Sequence, residues 1–320
     1  MKLNYKEVKK AYEKIKKYIP MTPLEESYYL GDENTRYYFK LESFQRAKSF
    51  KIRGALNVMT SLSETEKESG VAAISSGNHG SSVSYAATLL GIKNVVIIVP
   101  ENTPQSKIDK IKYFGGKVLI LGKDFDESYS LGKKYIEENK LTYIDAYYSD
   151  PILYAGQGTV AIEILKQNEN IDTIIVPIGG GGLITGIAIA AKALNPNIRV
   201  IGVQTEACPA MVKAYEDNVF YETYEIKKSI CDALVGGIGK LSYEMAKSVV
   251  DDFIIVSEDS IVKAVSFMAK KEKYIVEAGS CTTVAAVMDY KERIGGKNIA
   301  LVLSGGNIDG DLLTSILSEY

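Results

Sequence analysis

The sequence predicts an α/β protein built from two intertwined, open, twisted-sheet domains. Three observations carry that prediction: short β-branched runs alternate with helix-length stretches, several runs are apolar on both faces, and glycine- or serine-rich turns follow the strands. The runs VVIIV, TIIV and IALVL lack the in–out alternation of a half-exposed strand, so helices must cover both faces of parallel sheets. Strands are expected at Tyr37–Leu41, Val71–Ser75, Asn94–Val99, Lys117–Leu121, Thr142–Ile144, Thr173–Pro177, Arg199–Val203, Phe253–Val256 and Asn298–Leu303. Helical patterns occupy Ser82–Leu90, Gln105–Phe114, Glu127–Glu137, Ala161–Gln167, Leu183–Leu194 and Glu258–Lys271. A length of 320 residues suggests about two domains. With no repeat or long linker between them, one is expected to be inserted in the other. Residues 1–65 and 150–320 would form the larger domain and residues 66–149 a smaller, mobile one.

Composition narrows the function. Lys+Arg 38 against Asp+Glu 40 gives a net charge of -2, so no positive field draws nucleic acid or anionic lipid. The apolar runs fall far short of the ~20 residues that span a membrane, and MKLNYKEVKKAYEKIKKYIP lacks the apolar centre of a signal peptide. Cys208, Cys231 and Cys281 are few, distant and odd in number, as in a reducing cytoplasm. The single histidine, His79, excludes multi-histidine metal sites. Acid–base chemistry must therefore rest mainly on lysine, carboxylates, hydroxyls or a cofactor.

Four segments carry chemistry. In VPIGGGGLITG a buried strand runs into Gly179, Gly180, Gly181 and Gly182, then a helix opening near Leu183. Such a turn lets backbone N–H groups converge at a helix N-terminus and makes a phosphate cradle, although a tight strand–helix turn would also use glycine. In ESFQRAKSFKIRGALNVM three cations surround Lys51 and would disfavour its proton if close, while Phe50, Ile52, Ala55 and Leu56 promise an apolar pocket. A lysine so held forms Schiff bases, whereas most lysines simply solvate a helix face. In VAAISSGNHGSS a strand meets a helix at Ser75, Ser76, Gly77, Asn78 and His79. Ser and Asn there are ordinary N-caps, or else the first turn holds a carboxylate. Finally, ALVLSGGN ends a buried strand with Ser304 before a glycine pair.

A phosphate cradle, a Schiff-base lysine and an anion-binding turn together suggest pyridoxal phosphate. The chain resembles the threonine dehydratase/serine racemase branch of the fold type II pyridoxal-phosphate enzymes, whose fold is like that of the tryptophan synthase β subunit. KSFKIRGA, SSGNHG, AGQGT, GGGGL and SGGN follow the order of that branch, from Thr22-Pro23-Leu24 to about Asn307. The resemblance implies that Lys51 holds the cofactor as a Schiff base and that Phe50 lies by its ring. Asn78 would bond the ring's phenolic oxygen, Gly179 through Leu183 the phosphate, and Ser304 the pyridine nitrogen. Ser75, Ser76, Gly77, Asn78 and His79 would receive the substrate carboxylate, with His79 shaping the turn. The implied reaction is loss of the β-hydroxyl of L-threonine or L-serine, giving a 2-keto acid and ammonia, with Lys51 as general base. A homodimer is implied as well.

Several features leave alternatives. Ser76 matches a serine of serine racemases that acts opposite the lysine, so racemisation is the runner-up. Asp232–Gly239 looks more like dehydratases of hydroxyectoine catabolism, which keeps 3-hydroxyaspartate and hydroxyectoine-derived acids open as substrates. A pyridoxal-phosphate-binding protein without turnover is the non-enzymatic alternative. The metal site of some relatives follows the strand Arg199–Val203. Here Gln204–Ala210 offers only Glu206, displaced in register, and no metal is expected. With the sequence ending at Tyr320, the regulatory domain of feedback-inhibited dehydratases is not expected.

Overall fold

Ten strands segregate into two sheets in the computed structural model of the chain, which describes residues 3–148 and 150–319. Ser149, at the expected domain seam, lies outside the described residues. In chain order the strands are β1 Leu24–Glu26, β2 Arg36–Leu41, β3 Val71–Ile74, β4 Val95–Val99, β5 Lys117–Ile120, β6 Thr142–Tyr143, β7 Thr173–Pro177, β8 Arg199–Thr205, β9 Asp252–Val256 and β10 Asn298–Leu303. One sheet runs β1-β2-β10-β7-β8-β9 and the other β5-β4-β3-β6. The smaller sheet thus draws only on residues between Val71 and Tyr143. Every pairing is parallel except β1 with β2, where Leu24 faces Lys40 across an antiparallel edge. That antiparallel edge is not among the expected strands. Strand β1 has three residues, Leu-Glu-Glu, too short and polar to show any hydrophobic period.

Strands β3, β4 and β7 are buried along their whole length, as their unbroken apolar runs require. Helix boundaries moved where periodicity was weak. The helix Pro151–Gln167 starts ten residues before the expected Ala161, with Asp150 capping it and Pro151 in its first turn. Twelve successive residues, Leu153 to Ile164, are buried, so no polar face exists to mark a 3.6-residue period. The helix expected from Ser82 spans Asn78–Leu90 and brings the second half of the SSGNHG motif, Asn78 to Gly80, into its first turn. The pattern Glu258–Lys271 divides into an α-helix to Phe267 and a π-turn over Met268–Glu272, which ends where Lys273 adopts φ +65°.

A four-charge cluster lies in the interior between these layers. Arg53 is fully buried on the helix Lys51–Met59. Its Nε and Nη2 donate to both oxygens of Glu42 at 2.7 Å, and its Nη1 and Nη2 to both oxygens of Glu163 at 2.7 Å. Lys40 donates to Glu163 at 2.7 Å and to the Thr22 carbonyl at 2.7 Å. Two cations balance two carboxylates. The cluster ties β2 and the following turn to the helices Lys51–Met59 and Pro151–Gln167, fixing the helix that carries Lys51.

Candidate active site

The site is assembled at the carboxyl ends of the strands. Leaving β10, Ser304 accepts a hydrogen bond from the Phe50 N–H at 3.0 Å, and Gly305 bridges Ser49. That contact sets Phe50 as N-cap of its helix and Lys51 as its first residue. The Lys51 ammonium donates to the Ala146 carbonyl at 3.1 Å and lies 5.4 Å from the Phe50 ring centre and 6.0 Å from that of Tyr147. Burial pushes its pKa down to about 8, against the opposing pull of Asp145 and Glu277. The expectation that neighbouring cations would do this is corrected, because Arg53 is bound to Glu42 and Glu163 and the cause is desolvation.

The glycine loop faces the same tyrosine. A Cβ at Gly180 would fall 2.2 Å from the Tyr147 ring, so Lys51 and Gly180 flank one aromatic side chain. Gly181 has φ +89° and is the N-cap of the helix Gly182–Leu194, one residue earlier than the expected Leu183. A side chain there would be strained and would meet Met211 and Ser242. Glycine therefore keeps the backbone bare at a helix N-terminus, where unbonded N–H groups favour an anion. The Gly239 N–H donates to the Gly180 carbonyl at 2.8 Å, which brings Asp232–Gly239 alongside the loop.

On the opposite side, Gly77 caps the helix Asn78–Leu90, and no side chain performs that job. The N-cap reading of Ser76 and Asn78 is thereby corrected. Ser75 accepts the Gly77 N–H at 3.2 Å, while the half-buried Ser76 hydroxyl has no hydrogen-bond partner among the described residues. The His79 ring is buried, and its Nε2 contacts the Ile144 carbonyl at 2.8 Å. A carbonyl only accepts, so Nε2 carries the proton and the unpartnered Nδ1 is bare. Burial and the nearby Lys51 charge push the imidazole down to about 4, which makes it neutral. With its ring committed to Ile144, only its backbone N–H is left for the expected carboxylate turn.

Asn78 is the junction between the two sheets. Its Nδ2 donates to both oxygens of Glu277 at 3.0 Å, and its Oδ1 accepts from Asn307 at 2.5 Å. Ser304 is buried, 3.2 Å from the Ser280 hydroxyl, with no carboxylate among its hydrogen-bond partners. Glu277 escaped sequence reading because a glutamate before an apolar helix reads as a surface cap. Gln204 uses its own amide to accept the Met211 and Val212 N–H groups at 3.0 and 3.1 Å, and Glu206 accepts the Glu258 N–H. Among the described residues no group of three His, Cys, Asp or Glu side chains could hold a metal ion, and no helix is long and apolar enough to cross a membrane.

A desolvated primary amine and a bare-backbone anion cradle flanking one tyrosine, with a polar amide and an uncharged hydroxyl on neighbouring strand ends, fit an aldehyde-bearing pyridine phosphate. Comparison with known proteins agrees. Residues 15–305 match the family described as pyridoxal-phosphate dependent enzyme. The chain is 36% identical over 319 residues to an L-threonine ammonia-lyase of Thermotoga maritima, covering 99% of this chain and 79% of that protein. It is 38% identical to a catabolic L-threonine dehydratase of Staphylococcus aureus, covering 98% and 91%. The structure of maize serine racemase superposes with a TM-score of 0.92 at 32% identity, covering 99% and 97%. A tomato threonine deaminase superposes at 0.90 with 30% identity, covering 99% and 96%. The chain belongs to the family of pyridoxal-phosphate-dependent enzymes, with the α/β fold of its type II members.

Proposed function

We propose that the protein is an ammonia-lyase that removes the β-hydroxyl of L-threonine and L-serine. The observation that carries the reading is the desolvated Lys51 amine, which shares the Tyr147 ring with the Gly180 backbone. Pyridoxal phosphate, when bound, supplies an electron sink for the bonds of the substrate α-carbon. Lys51 would hold the cofactor through Nζ, and the same amine, when free, would take the substrate α-proton. A pKa near neutrality suits a base that must both release and accept a proton. Gly179, Gly180, Gly181, Gly182 and Leu183 offer N–H groups to the phosphate, Phe50 packs by the ring, and Asn78 reaches its phenolic oxygen. Ser304 meets the ring nitrogen with a hydroxyl that supplies no negative charge, which favours prompt departure of the β-hydroxyl. Ser75, the N–H groups of Gly77 to His79 and the Ser76 hydroxyl receive the substrate carboxylate. The β-hydroxyl leaves as water, and water returns when the enamine hydrolyses, so the net products are the 2-keto acid and ammonia.

Residues 1–65 and 150–320 would hold the cofactor, with 66–149 as a smaller unit that closes over it; confinement of the second sheet to Val71–Tyr143 supports this. The reading includes a homodimer in the cytoplasm, and three free, buried cysteines suit a reducing compartment. The test is 2-oxobutyrate or pyruvate release by the cofactor-loaded protein and by Lys51→Ala. Wild-type protein that takes up no cofactor, or Lys51→Ala turnover equal to wild type, refutes the assignment. One observation favours a second activity. The unpartnered Ser76 hydroxyl is free to move a proton, so D-serine should form from L-serine and disappear in Ser76→Ala.

A further inference from the structure

Glu277 is the N-cap of the helix Ala278–Ile294, yet its side chain makes no cap bond to that helix. The buried carboxylate turns away, accepting the Asn78 Nδ2 at 3.0 Å on each oxygen and the Asn307 N–H at 3.2 Å. Among the described residues no cation touches it, and burial pushes its carboxyl above the usual range. An unpaired buried carboxylate is expensive and persists only where something requires it.

What Glu277 terminates is a directed chain. Lys110 Nζ donates to the Asn307 Oδ1. Asn307 Nδ2 donates to the Asn78 Oδ1 at 2.5 Å and to the Ala47 carbonyl at 3.2 Å. Asn78 Nδ2 then donates to Glu277. A carboxylate can only accept and an ammonium can only donate, so the two ends fix the orientation of both amides between them. Each link also crosses between sheets. Lys110 and Asn78 follow β4 and β3 of the smaller sheet, while Asn307 and Glu277 flank β10 of the larger one. An ion pair, Lys107 to Asp232 at 2.8 Å, spans the same seam at the surface.

We propose that Glu277 is a positioning residue for Asn78, and that the relay Lys110–Asn307–Asn78–Glu277 couples seating of the cofactor to closure of the two sheet units. This rests on the reading of Lys51 and Asn78 as cofactor residues. With its carbonyl oxygen held by Asn307, Asn78 can donate only through Nδ2; the equal distances to the two Glu277 oxygens suit one N–H shared between them, which leaves the second N–H for the ring oxygen. Aligned donors polarise one another, so cutting the relay at Lys110, its far end, loosens Asn78.

The test compares wild type, Lys110→Met, Lys110→Arg, Glu277→Gln and the Lys110→Met/Glu277→Gln double variant, all loaded with pyridoxal phosphate. Absorbance of the bound cofactor, hydrogen–deuterium exchange over residues 78–90 and 105–113, and kcat and KM for L-threonine are recorded. Lys110→Met and Glu277→Gln should shift the cofactor bands in the same direction and speed exchange in both segments. Losing one charge-assisted hydrogen bond should lower kcat about tenfold and change KM by less than about threefold. The double variant should be no worse than the worse single, and Lys110→Arg should restore the spectrum. Unchanged spectrum and exchange in Lys110→Met, or additive effects in the double variant, overturn the proposal. Failure of the cofactor reading is distinguishable, because wild type itself would then show no cofactor band.

Discussion

Arg53→Met tests whether the buried charge cluster behaves as its geometry requires. The guanidinium makes four charge-assisted bonds of 2.7 Å and a fifth to the Thr159 hydroxyl at 3.2 Å. Methionine replaces the volume but leaves two carboxylates, Glu42 and Glu163, against one remaining cation, Lys40, all within 4% exposure. Breaking a buried pair from one side costs about 3–5 kcal/mol, because the surviving charge stays desolvated. At an unfolding entropy of about 2.1 cal/mol/K per residue, 4 kcal/mol over this chain lowers the Tm by about 6 °C. Acid should shrink the difference. In the wild type, burial pushes the Glu163 carboxyl up, but Arg53 and then Lys40 outweigh it and hold it below the usual range. That stabilisation is full above the ordinary carboxylate pKa and is lost as pH falls through the depressed value. In the variant, Arg53's pull is gone and burial acts less opposed, so protonation relieves the fold at higher pH. Urea unfolding of both proteins at about pH 7 and about pH 5 should show the gap narrowing. A gap under about 1 kcal/mol near neutrality, or one that widens in acid, refutes the argument.

Three further outcomes follow from the site. Gly180→Ala places a Cβ 2.2 Å from the Tyr147 ring, so the ring or the loop must shift; cofactor affinity should fall about tenfold or more in an absorbance titration, and unchanged affinity would mean that the loop tolerates a side chain. His79 supplies the chain's only imidazole, so its NMR signal is unambiguous. With its pKa pushed down to about 4, it should not titrate near the ordinary value of about 6.5, and a midpoint there would contradict the buried, Ile144-bound tautomer. In cofactor-free protein, Lys51 is a nucleophile only when neutral, so the rate of pyridoxal-phosphate capture should climb as pH rises through about 8 and level off above it; a climb continuing to the ordinary lysine value would show that Lys51 is solvated.

Much of the fold was legible because it rests on burial. Strands with both faces covered must be apolar throughout, and β7 and β10 fell on their expected residues to the last position. The same rule hid the helix Pro151–Gln167, whose twelve successive buried residues leave no solvent-facing polar side to announce a helix. The glycine loop was legible because only glycine tolerates φ +89° beside Met211 and Ser242. Glu277 and Lys110 were not. Their importance lies in a hydrogen-bonded path joining residues 199 and 197 positions apart in sequence, and nothing local distinguishes them from surface charges.

The basic stretch around Lys51 shows why proximity in sequence misleads about charge. Residues two apart on an α-helix point about 200° away from each other, so Lys51 and Arg53 occupy opposite faces of one turn. Arg53 is fully buried and Lys51 half-buried, and their partners differ. Arg53 meets two carboxylates in bidentate geometry and remains a cation. Lys51 meets a neutral carbonyl and two aromatic rings, with Asp145 and Glu277 acting only through space, and is pushed toward neutrality. One buried positive charge therefore anchors the helix, and the anchored helix holds the other where desolvation weakens its hold on a proton. If so, loosening the anchor should raise the Lys51 pKa as well as destabilise the fold. Arg53→Lys, which keeps the charge but not the double fork, should move the pH midpoint of cofactor capture upward from about 8. An unchanged midpoint would make the cluster a stabiliser of the fold alone.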